Sequence, residues 1–391
     1  MSQKKLPRRD FFKTSAAGAL GGTHLAQGQK VPRKELGSTG VDIPIILMGG
    51  SMAFDPQYDK RLHRAYQLGV DYFDTAQIYA GGQSQKTLAP FIEQVGRKNV
   101  WVTSKAKLVG DRCTPENYKK QADRCLEDLE TDYLDMFFMH MIQRPDTDLE
   151  PEFIKMGEEL KKANKIRFFG FSTHHGTVPE MMNKAAEIGS DGIDAIMFRY
   201  NFRQYGDVAL NKAIDACKQA GIGLIAMKTQ GSVPEDIEEV VEFKSENFTL
   251  PQAKLKAVWA DDRIDAAVSH MENVEHVMEN CKAAMSQEKL AMSEFVQLNR
   301  LAALTAGYHC LGCNQHCEAC VPGNLRIADT LRYLMYHDSY HQPEEARRLY
   351  QALAAHERDI GGMDLSAAEG ACPQGIAIKK RLADAKRVLS A

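Results

Sequence analysis

Four side chains, Asp74, Tyr79, Lys105 and His140, stand at or just beyond the ends of three successive β-rich runs. Brought to one place they would suit the reduction of a carbonyl group. A tyrosine is a weak acid, with a pKa of about 10, but a neighbouring ammonium such as Lys105 favours phenolate and eases proton donation. Asp74 would keep that lysine charged and oriented, and His140 would hydrogen-bond the substrate oxygen and fix its direction of attack. Singly, each residue has an ordinary structural reading, as a strand-end ion pair or a wall residue. Their joint placement on adjacent strands is the signal.

A second constellation lies near the C-terminus. Of nine cysteines, Cys113, Cys125, Cys217 and Cys281 are scattered and read as core residues. The others form Cys310-x2-Cys313-x3-Cys317-x2-Cys320 and, farther on, Cys372-Pro373. Thiolates this close converge on one soft metal centre. The gap between the pairs is too short for a zinc ribbon, whose Cys pairs stand roughly 15–20 residues apart, so an iron–sulfur cluster is expected. Disulfides are the alternative reading for an exported chain.

The elements that must position these groups alternate, short β-rich runs followed by stretches of helical spacing, as in repeated βα units. Strands are expected near Ile45–Met48, Val70–Phe73, Val100–Ser104, Tyr133–Met139, Ile166–Phe171, Ile193–Phe198, Gly223–Met227 and Ala266–Ser269. Helices are expected at Pro115–Leu129, capped by Thr114, and at Asp207–Ala220, stopped by Gly221. Eight pairs in β-then-α order predict an α/β fold, a (β/α)8 TIM barrel. A doubly wound sheet would need a Gly-rich phosphate turn after its first strand, and Met48-Gly49-Gly50-Ser51 lacks that spacing. In such a barrel, catalytic groups sit at the C-terminal strand ends, where the four residues fall. The barrel should occupy residues 31–285 and a helical cysteine-rich extension residues 286–391. Within the latter, Gln287 to Ala306, Pro343 to His356 and Lys379 to Leu389 read as helices.

Composition narrows the function classes. With 44% hydrophobic and 26% charged residues the 391-residue chain is globular in type, and its net charge of −3 offers no excess of cations. Nucleic acid is therefore not an expected partner, and a small molecule is. At the N-terminus, Arg8-Arg9-Asp10-Phe11-Phe12-Lys13 followed by the weakly apolar Thr14 to Ala26 reads as a twin-arginine export signal, with Ala26-Gln27-Gly28 as its cleavage site. Residues 1–30 thus stand outside the fold, and the mature protein is expected in the periplasm. The apolar run falls well short of the ~20 residues a membrane span needs.

With these residues in view the chain resembles the aldo/keto reductase family. The likeness rests on Gly69-Val70-Asp71-Tyr72-Phe73-Asp74-Thr75-Ala76-x-x-Tyr79, on Thr103-Ser104-Lys105, and on Thr131-Asp132-Tyr133-Leu134-Asp135 ahead of His140. Leu36-Gly37-Ser38-Thr39-Gly40 resembles the family's N-terminal hairpin, Gly170-Phe171-Ser172 its fifth strand, and Asn273 to Asn280 its eighth helix. The resemblance implies Tyr79 as general acid/base, completed by Asp74, Lys105 and His140. It implies NADP or NAD, held by Gly49, Gly50, Ser172, Thr173, Met227, Lys228, Ser269, Glu279 and Asn280.

Two departures alter the cofactor expectation. Thr173 and Met197 stand where Asn and Gln are usual, and the stretch Ser269-His270-Met271-Glu272, with His276, lacks the cations that clamp a 2′-phosphate. NADP is the family default, while a carboxylate near the ribose favours a free 2′-OH, so NAD or a permanently held cofactor is also expected.

The cysteine layout is similar to the ferredoxin-like 4Fe-4S extension on one branch of the family. Counting back from Cys372 by ferredoxin spacing gives Ala368, Leu365 and Gly362, so one cluster is the ceiling. Cys310, Cys313 and Cys317 are expected ligands, and Cys372 is preferred to Cys320 as the fourth because it precedes proline. The resulting reading is an exported oxidoreductase acting on a carbonyl or alcohol compound, such as a sugar or polyol, with the cluster as electron relay or structural element and an electron-transfer partner. The alternative is a barrel used for binding or electron transfer without nicotinamide turnover.

Overall fold

A computed structural model describes residues 28–390. The twin-arginine segment and nearly all of the proposed cleavage site lie outside the described residues. Ten strands are present: β1 (Arg33–Glu35), β2 (Asp42–Pro44), β3 (Ile46–Gly49), β4 (Tyr72–Asp74), β5 (Trp101–Ala106), β6 (Leu134–His140), β7 (Ile166–Thr173), β8 (Ala195–Arg199), β9 (Gly223–Met227) and β10 (Ala266–His270). Strands β3 to β10 close into a parallel eight-stranded barrel in sequence order, with β10 against β3. Helices follow the strands, as the alternation of the sequence requires.

The period of two along each strand separates two cores. On β6, Phe137 and Met139 pack outward among the helices, whereas Met136 and Phe138 fill the barrel interior with Leu47, Tyr72, Trp101, Met197 and Ile225. His140 continues the inward series at the open end. The antiparallel hairpin β1–β2 seals the other end. Leu36, fully buried, reaches Gly223 so closely that a Cβ there would meet its Cδ1 at 2.5 Å. Gly37, at φ +54°, lies where a Cβ would meet the Gly223 nitrogen at 2.3 Å, so both glycines are set by this contact. With the N-terminal end plugged, only the C-terminal strand ends are left to build a site.

Local signals hold where they have a mechanism. Thr114 caps the helix Pro115–Asp128, its Oγ1 accepting from Asn117 N at 3.3 Å, and Asp207 caps Val208–Gln219. After Met285 the chain is helical, and no strand occurs there among the described residues. Two expectations shift. The run from Pro343 breaks after Gln351, because Ala354 is extended and its N–H is taken by Glu357, which starts a separate turn at Ala355–Arg358. The helix Ile327–Ser339, which the periodicity reading passed over, is the principal element of the extension and packs on Pro343–Gln351 and Ile378–Leu389.

Candidate active site

Asp74 closes β4, Lys105 lies in β5 and His140 closes β6, and inward alternation aims all three at one mouth. Lys105 Nζ lies 2.5 Å from Asp74 Oδ1 and donates to the Thr75 carbonyl at 2.9 Å. The ammonium is 4.9 Å from the centre of the Tyr79 ring, which meets the His140 ring edge-on at 5.6 Å. Tyr79 opens a tight turn through Ala80, Gly81 and Gly82, all at positive φ. Of the six non-glycine residues at positive φ among the described residues, four (Ala80, Met141, Lys228 and His341) line the cavity above the barrel. Backbone strain is thus concentrated around the site, as in functional loops.

The electrostatics differ from the expectation in one respect. Enclosure, Asp74 and Tyr336 push the Tyr79 phenol well above its ordinary value, so it is held as the proton-bearing form. Lys105 does not offset this, because its charge is matched at contact distance by Asp74. Burial drives Asp74 up and Lys105 down, each against the other's attraction. His140 is pushed well below the usual imidazole range by burial and by the cations Lys105, Lys107 and Arg332. It is therefore neutral near pH 7, with Nδ1 buried and without a partner. A neutral imidazole and a protonated phenol, side by side, can both donate to an oxygen placed between them.

A cavity of about 400 Å³ runs from Tyr79 and His140 across the barrel mouth to the start of the helix Val274–Met285. Of the expected cofactor residues, Gly49, Gly50, Met227, Lys228, Ser269, Glu279 and Asn280 line it. Ser172 and Thr173 do not. Ser172 Oγ is spent on the Met141 N–H at 3.1 Å, and Thr173 is fully buried with Oγ1 unpartnered. The two glycines serve packing, since a Cβ at Gly50 would lie 2.5 Å from the Asp74 carbonyl and one at Gly49 2.9 Å from that of Ser269. At the far end Asn280 donates to Ser269 Oγ at 3.0 Å, and Glu279 accepts from Thr249 at 2.6 Å. Glu272 lines the same end. Lys254 also lines the cavity, with its ammonium paired to Glu238 at 2.6 Å.

The sequence reading missed the roof. Arg332, Tyr333, Tyr336 and Ser339 of the helix Ile327–Ser339, with Tyr340 and Gln342 after it, cover the cavity. Lys228 Nζ sits 4.6 Å from the Tyr336 ring centre and 5.1 Å from that of Tyr340, and burial with Arg332 and Arg199 brings it down to about 7. Gln342 donates to Ser51 Oγ at 3.2 Å and approaches His270 Nε2 at 3.3 Å, tying the roof to these two residues, which are themselves 3.0 Å apart. Polar residues at positions 329, 332, 333 and 336 share one helical face, and that spacing was the available signal.

Cys310, Cys313, Cys317 and Cys372 line one small apolar hollow with Leu331, Ile376 and Ile378. Cys320 lies outside it, exposed, its thiol donating to the His316 carbonyl at 3.2 Å. No disulfide joins any of the nine cysteines. Among the described residues no group of three or more His, Cys, Asp or Glu side chains is arranged to hold a metal ion. A zinc ion would need the sulfurs drawn to about 2.3 Å of one centre.

Comparison with known proteins places the barrel. The model of the aldo/keto reductase family matches residues 47–234. The match takes in most of the barrel and just under half of the chain. L-galactose dehydrogenase of Arabidopsis thaliana is 25% identical over 295 residues, 68% of this chain and 92% of that protein. An aldo-keto reductase from Bacillus halodurans superposes with a TM-score of 0.57 at 19% identity, covering 69% of this chain and 96% of its own. An aldo/keto reductase from Klebsiella pneumoniae, solved with NADP and acetate, gives 0.53 at 22% identity, over 70% and 95%. At these identities the two structures speak for the fold.

Proposed function

We propose that the chain is an aldo/keto reductase that interconverts a carbonyl and an alcohol compound using NADP or NAD. The observation that carries the reading is the set Tyr79, Lys105, Asp74 and His140 at one end of a cavity long enough to reach Asn280. The nicotinamide, when bound, supplies or accepts hydride. Tyr79 holds the proton for the substrate oxygen, neutral His140 orients that oxygen, and Asp74 fixes Lys105 beneath the phenol ring. The roof excludes water from the same space, which strengthens each of these interactions. The cofactor seen in the Klebsiella pneumoniae relative supports a nicotinamide, and Glu272 and Glu279 favour its NAD form.

The extension is read as a holder for one 4Fe-4S cluster bound by Cys310, Cys313, Cys317 and Cys372, acting as relay or structural support. Their shared hollow supports this assignment. Arg8 and Arg9 support export of the folded, loaded protein by the twin-arginine route to the periplasm. The test is anaerobic purification of the full chain, assay of nucleotide released on denaturation, and NADH or NADPH oxidation with an aldehyde panel. Nucleotide binding with turnover supports the reading. Failure to bind any nicotinamide dinucleotide overturns it and leaves the barrel as a binding module.

A further inference from the structure

We propose that Arg332 anchors a carboxylate on the substrate, so that the compound acted on is also a carboxylic acid. This deepens the oxidoreductase reading above and rests on it.

The cavity has two chemically distinct sides. In the closed strand order, β9, β10 and β3 are neighbours, and their ends carry the residues expected at the cofactor, with Glu272 and Glu279 at the far end. The opposite side is formed by Lys107 after β5, His140 closing β6, His174 after β7 and Arg332 from the roof. Arg332 is therefore next to the oxygen-orienting histidine and away from the far end of the cofactor groove. Its guanidinium approaches His174 Nε2 at 3.4 Å.

The charge on this side is unbalanced. Arg332 is only 9% exposed, yet it lines the cavity and its Nε is buried without a partner. Its one carboxylate is Asp329, at 2.5 Å from Nη2, and Asp329 is shared, since Arg326 Nε donates to its other oxygen at 2.9 Å. Lys107 adds an ammonium with no ion pair among the described residues, and Arg332 is among the charges that push Lys107 down. Buried polar groups normally find partners, and a guanidinium in the cavity wall that keeps an unpartnered nitrogen, with an unpaired ammonium on the same side, calls for an anion. Nothing from the barrel supplies one.

The test uses the full chain with its nucleotide and two aldehydes of equal shape, 4-carboxybenzaldehyde and the neutral 4-nitrobenzaldehyde. The parent should prefer the carboxylate by about tenfold or more in kcat/KM. Arg332→Met should remove that preference through KM, any general effect of the change on the site being common to both aldehydes and cancelling in their ratio, and Arg332→Lys should restore part of it. Arg326 remains to satisfy Asp329, so the variant keeps its fold. Equal treatment of both aldehydes by the parent, or equal loss of both in the variant, overturns the anchor. If neither aldehyde turns over, the oxidoreductase reading is decided separately, by whether the chain binds a nicotinamide dinucleotide. Calorimetric titration with 4-carboxybenzyl and 4-nitrobenzyl alcohol then decides the anchor, which stands if Arg332→Met abolishes binding of the acid and falls if both alcohols give equal heats.

Discussion

Gly176 of the barrel and Cys313 of the extension are packed so closely that a Cβ on the glycine would lie 2.4 Å from the Cys313 Cα. The Gly176 N–H also donates to the Gly312 carbonyl at 2.9 Å. The loop that carries His174 is therefore docked on the cysteine loop by backbone. Gly176→Ala should force them apart and cost roughly 1–3 kcal/mol by overpacking, with faster proteolysis of the extension. Gly370→Ala, where a new Cβ meets nothing within 4 Å, is the control and should leave stability unchanged or slightly raised. Matching urea midpoints for Gly176→Ala and parent would contradict this docking.

Tyr79→Phe removes the one proton that the phenol holds and leaves the ring in its contact with His140. Carbonyl reduction should fall by about 10²–10⁴-fold, with nucleotide affinity nearly unchanged. Single-turnover rates and fluorescence titration with NADH separate the two effects. Undiminished reduction would remove Tyr79 from the site.

Acid should destabilise the fold through its buried neutral histidines. His140 and His174 are both pushed well below the ordinary value of 6.5, chiefly by burial. As pH falls through that value the unfolded chain takes up protons that the native state refuses, so stability present at neutral pH is lost on acidification. The expected loss is about 1 kcal/mol per histidine between pH 7 and pH 5.5. Urea unfolding at the two pH values measures it. A flat profile between them would mean that these imidazoles accept protons in the folded state.

How much of this was legible beforehand follows from which interactions are local. The barrel was readable because β-then-α alternation and period-two strands are written in neighbouring residues, and Asp74, Lys105 and His140 inherit their positions from that period. The role of Lys105 was not, since whether it acidifies Tyr79 depends on how tightly Asp74 neutralises it in space. Ser172 and Thr173 were expected at the cavity and stand behind its wall, because Met141 claims the serine oxygen. The roof was invisible for the same reason: Arg332 and Gln342 meet His174 and Ser51 from 158 and 291 residues away in sequence.

The cysteine assignment separates cleanly by mutation. Cys372→Ala should lose iron and broad visible absorption, because Cys372 lines the hollow with Cys310, Cys313 and Cys317. Cys320→Ala should keep both, its thiol being engaged with the His316 carbonyl at the surface. Anaerobic iron and sulfide analysis of the two variants gives the answer. The reverse pattern would make Cys320 the fourth ligand and the segment at Cys372 mere packing.

The last prediction concerns retention of the nucleotide. Gln342 of the roof bonds both Ser51 and His270, which are themselves hydrogen-bonded at 3.0 Å, so it ties the roof to the barrel rim beside the groove expected to hold the cofactor, and a bound dinucleotide would leave only after this tie opens. Two hydrogen bonds at the edge of the cavity are worth about 1 kcal/mol each, so Gln342→Ala should speed release by up to about thirtyfold. The substitution leaves Tyr79 and His140 untouched, and the chemical step in a single turnover should keep its rate. Gln297, which bonds to Lys244 and Ser293 in another part of the molecule, provides the control substitution. Stopped-flow displacement of NADH, followed by its fluorescence, reads the release rate directly. Identical rates for parent and Gln342→Ala would mean that the groove opens elsewhere, through the tyrosine face of the roof at Tyr336 and Tyr340.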